Sequence, residues 1–275
     1  MNKNVILVSL FVFAAYSCKQ AEKPITVRDS ATVAVDSISI VEQPKDTIPQ
    51  GALAIIESYP QFVSGYKDNK IVFKDGTELE YDDGKEKSFD EQLDDSDIED
   101  MFALKYDTAD IPGYLCDAGR SRSEAFFKKM YGNSAAEVSR HLVKVQWFGQ
   151  SINFTSVNGA ADMLRKVADE FSNYPHLQKY LTQASTFYWR KVRGANRQSA
   201  HSYGIAIDIN TSNSDYWLWK YPGKHETEKI GYQNRIPLEV VRVFEKYGFV
   251  WGGRWYHFDT MHFEYRPEII NYNMK

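Results

Sequence analysis

The stretch that decides the fold is residues 199–210, SAHSYGIAIDIN. Read as a strand, its three isoleucines fall on one face and predict a core-facing side. The other face carries Gly204 and Ala206 ahead of Asp208, and these small residues predict open space over the sheet beside the carboxylate. An unpaired buried carboxylate is costly, so the stretch predicts a cation or a hydrogen-bond donor for Asp208.

His201 lies seven residues before Asp208, a spacing that would place the two side chains on opposite faces of a regular strand. If both are to converge, His201 must lie on the turn that enters the strand, or Gly204 must mark a bulge. The sequence therefore predicts an irregular entry to this strand.

A third ligand is expected from residues 257–265, HFDTMHFEY. Phe263 and Tyr265 can pack inward on one face while His262 points to the other. Two imidazoles and one carboxylate make a three-ligand zinc site with an open fourth position, where a hydrolytic zinc holds water. Asp259, three residues before His262, is placed to take a proton from that water.

These residues resemble the M15 family of zinc peptidases, which includes D-alanyl-D-alanine carboxypeptidases and L-alanyl-D-glutamate endopeptidases of bacterial and phage cell-wall lysis. The family pattern is Ser-x-His-x-x-Gly-x-Ala-x-Asp, followed downstream by an acid-x-x-His pair. The matching positions in this chain are Ser199, His201, Gly204, Ala206, Asp208, Asp259 and His262. The endolysin-like branch carries Asp at the acid position and many relatives carry Glu, so the preferred peptide bond stays open.

The resemblance implies that His201, Asp208 and His262 bind Zn2+ and that Asp259 is the catalytic base. Glu264 is the alternative base if Asp259 points away from the site. A structural zinc site closed by four cysteine and histidine ligands is not expected, because the chain has no such set.

The resemblance also implies a catalytic arginine upstream of the metal motif, and the candidate is Arg190 in FYWRKVRG. It would stabilise the anionic transition state or bind a substrate carboxylate. Arg193 is close enough in sequence to be the alternative. Downstream, residues 214–223, SDYWLWKYPG, form either a binding wall or a packed loop.

The N-terminus predicts export. The apolar run of residues 5–15 is too short to span a membrane comfortably and ends at Ser17 and Cys18, which favours a lipoprotein-type signal peptide over residues 1–18, with plain secretion as the alternative. Residues 19–50 have the composition of a flexible linker. Residues 51–145 form an N-terminal region without an assigned role, and residues 146–275 form the M15-like zinc peptidase domain.

The succession of predicted short strands and capped helices predicts an α+β fold with a small antiparallel sheet and packed helices, and the metal motif on its strands predicts a zinc site at the sheet face. The 275 residues are 43% apolar, enough for a sizeable core. A net charge of -4 without a basic stripe predicts no nucleic-acid partner. Residues 82–100 hold ten acidic side chains, but they lack the spacing of a calcium loop and predict a solvated loop or helix.

The sequence thus predicts an exported, lipid-anchored zinc metallopeptidase that cuts amide bonds in peptidoglycan stem peptides. The anchor at Cys18 would hold it in a membrane facing the periplasm or cell envelope. The alternative is a catalytically inactive, zinc-containing protein for cell-wall binding or signalling. An acidic residue still occupies the position of the catalytic base, which argues against that alternative.

Overall fold

A computed structural model of the chain describes residues 47–274. The helices are α1 (Gln50–Ser58), α2 (Phe89–Asp94), α3 (Glu124–Tyr131), α4 (Ala135–Ser139), α5 (Ala160–Phe171), α6 (Gln178–Leu181), α7 (Trp217–Lys220), α8 (Leu238–Lys246) and α9 (Pro267–Asn273). The strands are β1 (Val63–Lys67), β2 (Lys70–Phe73), β3 (Glu78–Glu80), β4 (Leu142–Trp147), β5 (Gln150–Thr155), β6 (Ala206–Asp208), β7 (Phe249–Trp251) and β8 (His262–Tyr265). The predicted α+β class is confirmed.

Within residues 47–274, the strands form three small antiparallel sheets instead of one. Their orders are β1-β2-β3, β4-β5 and β6-β8-β7. The strands of β2-β3 and of β4-β5 pair as antiparallel hairpins, and Gly76 and Gly149 adopt positive φ in their turns. The third sheet carries the predicted site, because β6 holds Asp208 and β8 holds His262.

One continuous hydrophobic core includes residues from before and after position 145. The first and last helices pack against each other, and Gln50 Nε2 donates a hydrogen bond of 3.2 Å to the Tyr272 carbonyl. Strand β4 runs across the predicted division between residues 145 and 146. The region without an assigned role therefore shares its core with the region that carries the metal motif.

The acidic stretch of residues 82–100 is organised around a lysine. Lys87 is almost fully buried, and its Nζ lies 3.3 Å from Asp83, 3.2 Å from Asp97 and 2.6 Å from Asp100. Burial alone would lower the pKa of Lys87, but these carboxylates outweigh it and hold the ammonium charged. The stretch is thus less solvated than predicted, and an ammonium group balances its buried carboxylates.

Strand β8 is fixed by aromatic packing on one of its faces. The Phe263 ring stacks on Phe244 with centroids 3.9 Å apart, and Trp251 lies nearly parallel to Phe263 at 6.2 Å. Because side chains alternate along a strand, this packing directs His262 and Glu264 to the opposite face, as predicted. The core therefore sets the orientation of the candidate metal ligand.

The predicted signal peptide and residues 19–46 of the predicted linker lie outside the described residues. Helix α1 begins at Gln50, at the end of the predicted linker. Among residues 47–274, no helix combines the length and apolar character needed to cross a membrane.

Candidate metal centre and cleft

His201 lies on a turn that enters β6, which is one of the two predicted geometries. The turn is a 3-10 helix, Ala200–Tyr203, and Gly204 ends it with a left-handed φ of 68°. The prediction of open space over Gly204 is wrong, since a Cβ there would lie 2.6 Å from Leu142 Cδ2. Glycine is required at position 204 because β4 packs against it and because its backbone adopts a left-handed φ. The cavity beside Asp208 does not lie over Gly204.

The three predicted ligands converge. Asp208 and His262 are cross-strand partners in the β6-β8 pair, and Nδ1 of His262 lies 2.8 Å from Oδ1 of Asp208. Nε2 of His201 lies 3.1 Å from Oδ2 of the same carboxylate. One ligand atom from each residue lies within 4.8 Å of the other two. The geometry is therefore that of a group that can hold one metal ion.

Hydrogen bonds on the far side of each imidazole decide which nitrogen faces inward. Nδ1 of His201 lies 2.7 Å from the Thr186 carbonyl, which only accepts, so this nitrogen carries the hydrogen. Nε2 of His201 then carries no hydrogen and faces Oδ2 of Asp208 at 3.1 Å, where neither atom can donate, so this buried nitrogen has no hydrogen-bond partner. Nε2 of His262 lies 2.8 Å from Oε1 of Glu264, which leaves its Nδ1 directed at Asp208. This is how metal-binding histidines are oriented.

The charged groups of the cluster shift one another's pKa values strongly. Burial alone would raise the pKa of Asp208, but His201 and His262 outweigh it and lower that pKa far below its usual range. Burial alone would lower the pKa of His262, but Asp208 and Glu264 raise it to about 10. Without a metal, a proton on His262 thus supplies the positive charge that the carboxylates require, and a metal would displace it.

Asp259 lies in the turn that leads into β8, and its carbonyl accepts from the His262 N–H at 3.1 Å. A Cβ at Gly252 would lie 2.5 Å from that carbonyl, so glycine permits the close approach of the two segments. Oδ1 of Asp259 is buried without a hydrogen-bond partner. Burial, followed by the charge of Asp208, raises the pKa of Asp259 to about 7. A carboxyl with such a pKa is suited to proton transfer near neutral pH.

A cleft of about 450 Å³ contains the cluster, and the predicted base and both candidate arginines line it. Arg190 also contributes positive charge that lowers the pKa of Asp259. Tyr216, Trp217 and Trp219 line the same cleft, so the aromatic stretch forms a wall of it. Trp219 is 54% exposed.

Sequence reasoning missed part of the cleft. Arg120 and Arg122, from the region without an assigned role, line it together with Arg197. Each is paired with a carboxylate: Arg120 with Glu226 and Asp117, Arg122 with Glu264, and Arg197 with Asp94. The basic cluster GRSRS at residues 119–123 is the only sequence signal that could have suggested them.

Glu264 is held on several sides. Its Oε1 accepts from Arg122 Nη1 at 2.8 Å, and Arg266 Nη1 lies 3.4 Å from its Oε2. Burial alone would raise the pKa of Glu264, but Arg122, His262 and Arg266 lower it to about 2. This carboxylate therefore stays ionised and orients His262, which makes Asp259 the better placed base.

A second cluster of two carboxylates and a histidine, next to the cleft, is paired with Arg120. Asp117 accepts from the backbone N–H of His257 at 3.0 Å and from its ring Nδ1, while the other ring nitrogen lies 2.7 Å from the Glu226 carbonyl. Arg120 contacts both carboxylates, at 2.6 Å from Asp117 and 2.8 Å from Glu226. The guanidinium takes the place that a metal would need.

This second cluster predicts an acid-sensitive contribution to stability. Burial alone would raise the pKa of Asp117, but Arg120 and His257 outweigh it and lower it to about 2. The contribution is present above the unfolded pKa of about 4, amounts to about 2.5 kcal/mol, and is lost as pH falls towards about 2. Urea unfolding between pH 6 and pH 3 should show a steeper loss of stability for the wild type than for Asp117→Asn. Parallel curves would contradict this assignment.

Fold and site together define a class: an α+β protein with a candidate metal centre of two imidazoles and one carboxylate in a cleft rich in arginine. Residues 193–265 match the family model of M15 peptidases described as D-alanyl-D-alanine carboxypeptidase. The match confirms the resemblance to the M15 family over these residues. The matched segment contains the three candidate ligands and Asp259.

The match begins after Arg190, and it does not include Arg120 or Arg122. Neither the curated proteins nor the solved structures contain a match to the chain.

Proposed function

We propose that the protein is a zinc-dependent peptidase that hydrolyses amide bonds in peptidoglycan stem peptides. One observation carries the proposal: the unprotonated ring nitrogen of His201, the Nδ1 atom of His262 and the Asp208 carboxylate converge in the arginine-rich cleft. Two imidazoles and one carboxylate form the ligand set of catalytic zinc, and they leave a position for water or substrate. Nε2 of His201 supports the fit, because it is buried without a hydrogen bond and faces the Asp208 carboxylate at 3.1 Å, as two ligands of one metal ion would.

When bound, zinc would supply Lewis acidity towards the scissile carbonyl and lower the pKa of a water molecule. The chain's own residues supply the proton transfer and the charge. Asp259 takes the proton of the attacking water and passes it to the leaving amine, and its Oδ1, which is buried without a hydrogen-bond partner, is available to accept that proton. Arg190 is exposed at the cleft and stabilises the oxyanion or a substrate carboxylate.

The charge of the cleft favours an anionic peptide. Arg190, Lys191 and Arg193 line it, and none of them forms an ion pair with a carboxylate of residues 47–274. Stem peptides carry free carboxylates that such cations can bind. Export, with lipid attachment at Cys18 facing the periplasm or cell envelope, would place the enzyme beside this substrate.

Replacing Arg190 should separate its role from that of Arg193. We expect Arg190→Ala to lower kcat/KM by about 100-fold, because an interaction with transition-state charge is lost. Arg193→Ala, the matched control from the same loop, should lower it less than about fivefold, in keeping with a screened surface charge. Steady-state kinetics on one muropeptide measures both. The reverse order would assign the role to Arg193.

The proposed function is tested by incubating zinc-loaded protein with defined muropeptides and analysing the products by mass spectrometry, with and without a chelator. Chelator-sensitive loss of a terminal D-alanine would identify a carboxypeptidase. Chelator-sensitive cleavage between L-alanine and D-glutamate would identify an endopeptidase. Protein that holds zinc and cleaves none of these substrates would contradict the proposal and favour wall binding or signalling.

A further inference from the structure

Arg122 reaches the candidate metal centre from outside the matched family segment. It lies shortly before α3, and its side chain is 10% exposed. Its Nη1 donates to Oε1 of Glu264 at 2.8 Å, and the same oxygen lies 2.8 Å from Nε2 of His262. One carboxylate oxygen of Glu264 therefore bridges Arg122 and His262, a candidate metal ligand that lies 140 residues further along the chain.

The bridge is rigid because its other side is also held. Arg266 is fully buried; its Nη1 lies 3.4 Å from Oε2 of Glu264 and donates to the Gly119 carbonyl at 2.8 Å. Its Nε donates to Glu268, which in turn accepts from the Tyr59 hydroxyl at 2.7 Å. Two guanidinium groups thus fix the Glu264 carboxylate. Arg122 lies before residue 193, and Arg266 is held in part by contacts with residues before 193.

Removing Arg122 would change the orientation of the metal ligand. Glu264 would keep Arg266, which contacts its Oε2, but Oε1, the oxygen that accepts from His262, would lose the Arg122 donor. The His262 ring could then rotate or change its tautomer, since the hydrogen bond on the far nitrogen is what directs Nδ1 at Asp208.

We propose that Arg122 is a positioning residue for the metal centre: acting through Glu264, it holds His262 with Nδ1 facing Asp208. Residues before 193 are then part of the working site. The inference rests on the proposed function only in requiring that the cluster binds zinc, not that the protein cleaves any peptide.

The test is zinc affinity, measured on the full folded chain by competition with a chromophoric chelator and without any peptide. We expect Arg122→Met to weaken zinc binding at least about tenfold, the effect typical of partners that orient a ligand. The matched control is Arg254→Met. Arg254 is another buried arginine paired with a glutamate, 3.0 Å from Glu245, and it does not line the cleft. It should bind zinc as the wild type does.

A combination of variants tests whether Arg122 acts through Glu264. Glu264→Gln should weaken zinc binding on its own, and adding Arg122→Met to it should weaken binding little further. Arg122→Lys, which keeps the charge but not the fork geometry, should recover part of the affinity. If Arg122→Met does not fold, Arg122→Lys is compared with Arg254→Lys, and weaker zinc binding by the first alone supports the proposal.

The inference is overturned if Arg122→Met, or Arg122→Lys in its place, binds zinc within twofold of wild type or no more weakly than its Arg254 control. Fully additive losses in the double variant would also overturn it. If the wild-type protein binds zinc but cleaves no muropeptide, the proposed function is contradicted while this test of Arg122 remains valid. Wild-type protein without zinc affinity would overturn both.

Discussion

Asp259→Asn should lose at least about 1,000-fold in kcat while zinc affinity stays within a few-fold of wild type. General-base catalysis contributes about 10²- to 10⁴-fold, and an amide of the same shape cannot take the proton. The substitution removes no candidate ligand, because His201, Asp208 and His262 form the cluster. Muropeptide turnover and zinc content, measured on the same preparation, separate the two effects.

The matched control for this prediction is Asp215→Asn. Asp215 pairs with Arg235 at 3.1 Å and does not line the cleft, so its loss should leave kcat nearly unchanged. If Asp259→Asn kept wild-type turnover, Asp259 would not be the base. Glu264, which also lines the cleft, would then be the next carboxylate to test.

His201→Ala should abolish both zinc binding and turnover. The variant removes the ring nitrogen that is buried without a hydrogen-bond partner and faces Asp208. Losing a direct ligand should exceed the about 10- to 100-fold loss typical of the groups that orient a ligand. Metal content by mass spectrometry and chelator competition measure the effect.

His176→Ala provides the control, since the His176 side chain is 64% exposed, lies 3.7 Å from Glu239 and does not line the cleft. It should bind zinc and turn over substrate as the wild type does. Full zinc occupancy in His201→Ala would show that the metal binds elsewhere, and it would remove the basis of the proposed function.

The sequence predicted the parts of the site that depend on local geometry. Alternation along β8 placed Phe263 in the core and His262 opposite it, and the seven-residue spacing predicted the irregular entry at His201. Both follow from the period of a strand and need no knowledge of distant residues.

The sequence could not predict contacts between segments far apart in the chain. Arg122 and Glu264 are 142 residues apart, and nothing in either local pattern relates one to the other. The interpretation of Gly204 failed for the same reason. Its local sequence suggests space for a ligand, but Leu142 from another sheet fills that space.

The ammonium group of Lys87 has a practical consequence for experiments on this protein. The cation that neutralises Asp97 and Asp100 is part of the chain itself. EDTA therefore cannot extract it, whereas it could extract a bound calcium ion. The acidic segment should therefore keep its structure in chelating buffers. Inactivation by EDTA can then be assigned to the cleft, and re-addition of zinc alone should restore the activity.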